Sequence, residues 1–165
     1  MKIIFIYSFE VSLLALKPLS TWTEIQFGIS YLSSGLKADG HQTQLVVLGS
    51  NDKWVDNITV LNKFMREFSP ELICVTSVAS QYPFIKKIAS KIKSQWPDKY
   101  IVIGGVHATL NPAEVINDSF DAVNIGEGEY PILELCHQIE TNQLPLGDFI
   151  HKFAIPCGSW FVSIW

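Results

Sequence analysis

Hydrophobic positions along the chain fall into short continuous blocks, separated by stretches with a helical repeat. The blocks are Ile3–Tyr7, Gln44–Leu48, Leu72–Thr76, Tyr100–Ile103 and Ala122–Ile125. They do not alternate polar with apolar, as a strand with one wet face does. They therefore read as parallel strands covered by helices on both sides. The first intervening stretch opens with a capping box, Thr21 and Glu24. Trp22, Ile25, Ile29, Leu32 and Leu36 follow at helical spacing, and Asp39-Gly40 is the stop. The second helix carries Ile58, Leu61, Phe64, Met65 and Phe68, and must end before Pro70. The third opens near Pro83 and carries Phe84, Ile85, Ile88 and Ile92, extending towards Trp96. A short fourth is expected with Asn111 as cap, Pro112 as first residue and Glu114 completing a second capping box. The fifth runs from about Tyr130 to Glu140, with Ile132, Leu135, Cys136 and Ile139 inward.

Strands alternating with helices imply right-handed crossovers and a parallel sheet. The expectation is an α/β, flavodoxin-like (Rossmann-like) three-layer sandwich with a five-stranded parallel sheet in the order 2-1-3-4-5. The domain spans 1–143. The pattern fails over 144–165, where prolines and glycines precede the apolar end Trp160–Trp165. That tail is expected to be irregular, either packed on the sheet or a truncated linker of a longer protein.

Composition narrows the class. Hydrophobic residues make up 48% of 165, which supports one globular core. A net charge of −4 without a basic cluster argues against nucleic acid. No apolar run approaches the roughly 18 residues needed to span a bilayer. Lys2 followed by Ile3–Tyr7 has the look of a signal peptide, but Glu10 interrupts it and no small-residue cleavage site follows, so a buried strand is the better reading. Cys74, Cys136 and Cys157 are odd in number and widely spaced, pointing to a reducing cytoplasm.

The loops at the strand ends exclude familiar chemistry. The first strand is followed by Ser8-Phe9-Glu10 and the third by Ser77-Val78-Ala79-Ser80, so the acids of a phosphoryl acceptor are missing. There is no P-loop and no dinucleotide fingerprint. No histidines stand at metal-ligand spacing, and the cysteines cannot form Cys-x-x-x-Cys-x-x-Cys. Ser77 or Ser80 with His107 lacks an orienting acid, so no catalytic residue is assigned. Cys74 and Cys136 read as core residues, and His41, directly after a helix stop, as a surface turn residue.

Two glycine turns remain, Gly104-Gly105 after the fourth block and Gly126-Glu127-Gly128-Glu129 after the fifth. Both lie where a strand hands over to a helix, the edge of an open parallel sheet where ligands bind. The string Gly104-Gly105-Val106-His107-Ala108-Thr109, then Pro112-Ala113-Glu114, Asp121 and Gly126-Glu127-Gly128-Glu129, resembles the N-terminal cobalamin (B12)-binding domain of the B12-dependent radical S-adenosylmethionine enzymes. The resemblance covers roughly 1–143, and the two glycine motifs together are specific where either alone is weak.

The resemblance implies cobalamin as cofactor. It assigns cofactor contacts to Thr76, Ser77, Val78, Gly104, Gly105, Val106, His107, Gly126, Glu127 and Gly128. The glycines would admit the nucleotide tail against bare backbone. The wider B12 family carries Asp-x-His-x-x-Gly after the first strand, and its histidine binds cobalt. Nothing in Ser8–Ser20 matches, and Asp39-Gly40-His41 has Gln44 where glycine is needed. No protein metal ligand is therefore expected. The related enzymes continue into a barrel holding an iron–sulfur cluster and S-adenosylmethionine, neither of which is expected in this chain. The implied function is a cobalamin-binding module, inert alone, serving a radical SAM catalytic domain in a longer or separate chain. The alternative is a non-catalytic interaction module that has lost the cofactor, motivated by the aromatic tail Trp160–Trp165.

Overall fold

The structure is a computed structural model that describes residues 1–9, 26–50, 53–141 and 143, and the backbone of two short strands beyond them. In chain order the elements are β1 (Lys2–Phe9), α1 (Phe27–Ala38), β2 (Gln42–Gly49), α2 (Trp54–Phe68), β3 (Leu72–Thr76), α3 (Tyr82–Gln95) and β4 (Tyr100–Gly104). Then come α4 (Val106–Leu110), α5 (Pro112–Val115), β5 (Ala122–Ile125), α6 (Glu129–Glu140), β6 (Phe153–Pro156) and β7 (Val162–Ser163).

The sheet order is β2-β1-β3-β4-β5-β6-β7. The first five strands are parallel in the expected order, and the α/β fold is the one read from the sequence. Beyond residue 143, β6 adds in parallel to β5 and β7 pairs antiparallel to β6. These strands are too short to carry a hydrophobic period that would announce them. The capping box at Thr21 and Glu24, the residues Trp22 and Ile25, and most of Trp160–Trp165 lie outside the described residues, but α1 starts only at Phe27, after a non-helical Gln26, and does not run on from Thr21 as expected.

The chain moves one way from β1 to β2 and the other way from β2 to β3. Right-handed crossovers then place α1 on one face and α2 and α3 on the other. Alternate strand residues follow that split. Ile4, Ile6, Ile73, Val75, Ile101 and Ile103 pack under α2, α3, α4 and α5. Ile3, Phe5, Leu72, Cys74, Val102 and Ala122 face α1 and α6, which supply Ile29, Leu36, Ile132, Leu135 and Cys136. Among the described residues two helices cover one face where four cover the other.

Two local expectations are corrected. Asn111 precedes α5 but its side chain makes no capping hydrogen bond. Its amide instead donates back to the His107 carbonyl at 3.4 Å, because the five-residue helix α4 sits immediately before it. His41 is 8% exposed and not a surface residue. Its Nδ1 is 3.1 Å from the Met1 amino group and its Nε2 is 3.3 Å from Asp39, at the N-terminal edge of the sheet. No helix among the described residues is long and apolar enough to cross a membrane.

Candidate functional site

The α1/α6 face holds a cleft of about 210 Å³, open at the C-terminal ends of the strands. Its floor is Phe5 of β1, Cys74 of β3 and Val102 of β4, with Leu135 of α6 behind them. Strand periodicity decides what stands above that floor. Two residues on from Cys74, Val102 and Ala122 come Thr76, Gly104 and Asn124, which line the cleft in one row. Thr76 pairs with Gly104 in register. A Cβ added at Gly104 would lie 3.7 Å from Asn124 Cβ, in ordinary contact. A larger side chain there would project into the cleft from the same face as Val102. The mouth therefore stays open because Gly104 has no side chain.

Gly105 serves a different end. Its φ is +92°, and a Cβ there would come 2.5 Å from Thr76 Oγ1 and 3.0 Å from the Ser77 carbonyl. Glycine is thus required by the approach of the β3 and β4 ends, before any ligand is considered. The second glycine turn is anchored from both sides. The Gly126 N–H donates to Thr109 Oγ1 at 3.0 Å, and its carbonyl accepts from Asn124 Nδ2 at 3.0 Å. Gly126 has φ +82°, and Gly128, Glu127 and Glu129 complete that side of the mouth where α6 begins. Asp121 fixes the start of β5: its carboxylate accepts the Ile101 N–H at 2.7 Å and pairs with Lys93 at 2.6 Å.

The cleft and its glycines meet a known pattern. A family model described as B12 binding domain matches residues 19–136. The chain belongs to that family. The uncharacterized methyltransferase PH0819 of Pyrococcus horikoshii is 26% identical over 131 residues, 78% of this chain and 28% of that protein. A cobalamin-binding protein from Desulfitobacterium hafniense DCB-2 superposes with a TM-score of 0.57 at 14% identity, over 84% of this chain and 58% of the other. The cobalamin-dependent S-adenosylmethionine radical enzyme OxsB, with aqua-cobalamin bound, gives 0.63 at 16% identity, over 88% of this chain and 19% of the enzyme. The chain therefore spans between about a fifth and three fifths of the proteins it resembles.

Within this B12-binding domain, six of the positions assigned from the sequence line the cleft: Thr76, Gly104, Gly105, Gly126, Glu127 and Gly128. Ser77, Val78, Val106 and His107 do not. Ser77 is buried, its hydroxyl without a hydrogen-bond partner, while its carbonyl accepts the His107 N–H at 3.1 Å. Val78 and Val106 are exposed on the edge beside the mouth. The His107 imidazole is buried against the Tyr82 ring on the other face of the sheet. Asn124 was not singled out in the sequence. The available signal was a polar residue inside the apolar run Ala122–Ile125, in phase with Ala122.

The electrostatics suit a neutral floor and a polar rim. Burial pushes the Cys74 thiol well above its ordinary value, with Cys136 adding to the shift, so the thiol stays protonated. Cys136 is pushed up to about 12 by burial, then by Glu140. No cluster of His, Cys, Asp or Glu among the described residues could hold a metal ion. The cobalamin tail fits what is present: a slot left by a missing Cβ, an amide and a hydroxyl at its rim, and an apolar floor.

Proposed function

We propose that this domain carries cobalamin with the nucleotide tail inserted in the α1/α6 cleft and the corrin ring resting on the strand ends. The single observation that carries the reading is the slot at Gly104, flanked by Thr76 and Asn124 and opening onto an apolar floor at the ligand edge of the sheet. Thr76, Asn124 and Glu127 would meet polar groups of the tail. Val78 and Val106 would meet the underside of the ring, where an apolar surface leaves cobalt without a protein ligand. Bound cobalt supplies alkyl- and electron-transfer chemistry. The described residues of this chain would hold and orient the cofactor.

The finer reading is that the domain presents cobalt to a radical SAM catalytic domain of methyltransferase type, in a longer or separate chain in the cytoplasm. The likeness of its glycine strings to that group supports it. So does the likeness to PH0819, described as a methyltransferase, and to OxsB, a radical S-adenosylmethionine enzyme. The test is direct. The purified chain is mixed with aquacobalamin and desalted, and corrinoid absorbance is followed in the protein fraction. Stoichiometric retention is expected, and its absence would overturn the reading.

A further inference from the structure

We infer that the floor of the cleft sorts corrinoids by the base on their nucleotide tail, admitting a benzimidazole-type base and rejecting adenine. This rests on the proposed function, in which the tail enters the cleft. The cleft is two-toned. Gln26, Thr76, Asn124, Glu127 and Glu129 stand at the rim, while Phe5, Cys74, Val102, Ile132 and Leu135 form the layer beneath. Among the described residues of that lower layer, the only polar side-chain group is the Cys74 thiol, a weak hydrogen-bond partner. The volume, about 210 Å³, is below the roughly 300–1,000 Å³ of pockets that engulf a whole drug-sized ligand. It takes one end of a large ligand, and the end that reaches deepest meets hydrocarbon.

The two kinds of base respond oppositely to such a floor. A dimethylbenzimidazole detached from cobalt is mostly hydrocarbon, and its methyl groups gain from leaving water. Adenine carries an exocyclic amine and several ring nitrogens. Each would leave water for a surface whose described side chains offer only the weak Cys74 thiol, and an unsatisfied buried polar group is costly. Binding sites discriminate most strongly when a wrong ligand is left with unpaired polar groups.

The experiment is equilibrium dialysis of the whole chain against three probes: aquacobalamin, the corresponding corrinoid with adenine as base, and diaquacobinamide, which has no nucleotide. Aquacobalamin is expected to bind tightest. The adenine corrinoid should bind at least tenfold more weakly, equivalent to about 1.4 kcal/mol, and diaquacobinamide should also be weaker. Equal affinity for the two bases overturns the inference and leaves the proposed function standing. Affinity for diaquacobinamide equal to that for aquacobalamin overturns the placement of the tail. Failure to bind any of the three overturns the proposed function itself. Cys74→Ser, which puts a hydroxyl on the floor, should narrow the ratio between the two bases at least threefold. An unchanged ratio in the folded variant overturns the assignment of the floor, and if that variant does not fold, the wild-type comparison decides alone.

Discussion

The rings of Tyr82 and His107 lie with centroids 4.0 Å apart and planes tilted by 31°. Tyr82 belongs to the core beneath α2 and α3, so the pair is on the face of the sheet turned away from the cleft. Asn111 Nδ2 approaches His107 Nδ1 at 3.4 Å, and Glu114 is 3.8 Å from Nε2. The Tyr82 hydroxyl donates to Asp118, which also pairs with Lys86 at 2.6 Å. This histidine therefore locks α4 to α3 and acts on the glycine turn from behind. His107→Ala should cost about 2 kcal/mol of stability through the lost ring contact and the space left beside Tyr82. Corrinoid affinity of the folded variant should stay within about threefold, well under the tenfold of 1.4 kcal/mol. Chemical denaturation and dialysis measure the two separately, and a folded variant that no longer binds would put the imidazole on the ligand.

The adjacent glycines should separate cleanly when substituted. Gly105→Ala must hold a side chain at φ +92° with its Cβ 2.5 Å from Thr76 Oγ1. Strain of that kind costs about 1–3 kcal/mol, and the clash adds to it. Gly104→Ala meets nothing closer than 3.7 Å, so its thermal midpoint should move little. Gly104→Val reaches into the mouth and should weaken corrinoid binding at least tenfold, about 1.4 kcal/mol. The expected pattern is a stability defect at 105 and a binding defect at 104. The reverse pattern would show that the slot is not where the tail enters.

That contrast also marks the limit of what the sequence discloses. The strands were legible because continuous apolar runs admit few other readings, and β3 and β5 have the expected bounds. The helices α2, α3 and α6 were legible from their periods. The helix α4 was hidden, since five residues between a glycine pair and Asn111 carry no period. The glycine motifs located the site, but Thr76 and Ser77 are indistinguishable in sequence. Only the crossover hands decide which of two neighbours faces α1 and α6, and they put Thr76 in the cleft and Ser77 out of it. Asn124 escaped because a polar residue near a strand end is ordinarily just a strand end.

Asn124 ties the two glycine turns together. Its Cβ would be the nearest neighbour of a side chain at Gly104, and its Nδ2 holds the Gly126 carbonyl at 3.0 Å. Asn124→Val keeps a strand-forming shape but removes the donor. The Gly126 carbonyl then loses its bond, at a cost of about 1 kcal/mol. The turn it held should loosen, so hydrogen exchange at Gly126–Glu129 should quicken while β3 and β4 stay protected. Corrinoid affinity should fall by about threefold to tenfold, the equivalent of roughly 1 kcal/mol. Unchanged exchange at the turn would mean that Thr109 alone anchors it.

The two buried thiols give the protein an alkaline limit. In the unfolded chain each ionises near the ordinary value of 9.0, whereas burial keeps Cys74 protonated well above that and Cys136 up to about 12. Below about pH 9 both states hold their protons and the stability is fully present. Above it the unfolded chain has released protons that the folded chain retains, so stability falls as pH rises, until the folded thiols ionise too. The slope is about 1.4 kcal/mol per pH unit for each thiol. Urea midpoints measured at pH 8, 9 and 10 should therefore decline, and Cys136→Ala should decline less steeply even if it starts lower. A variant slope equal to the wild-type slope would assign the alkaline loss to other groups, with Tyr100, also raised by burial, the next to examine.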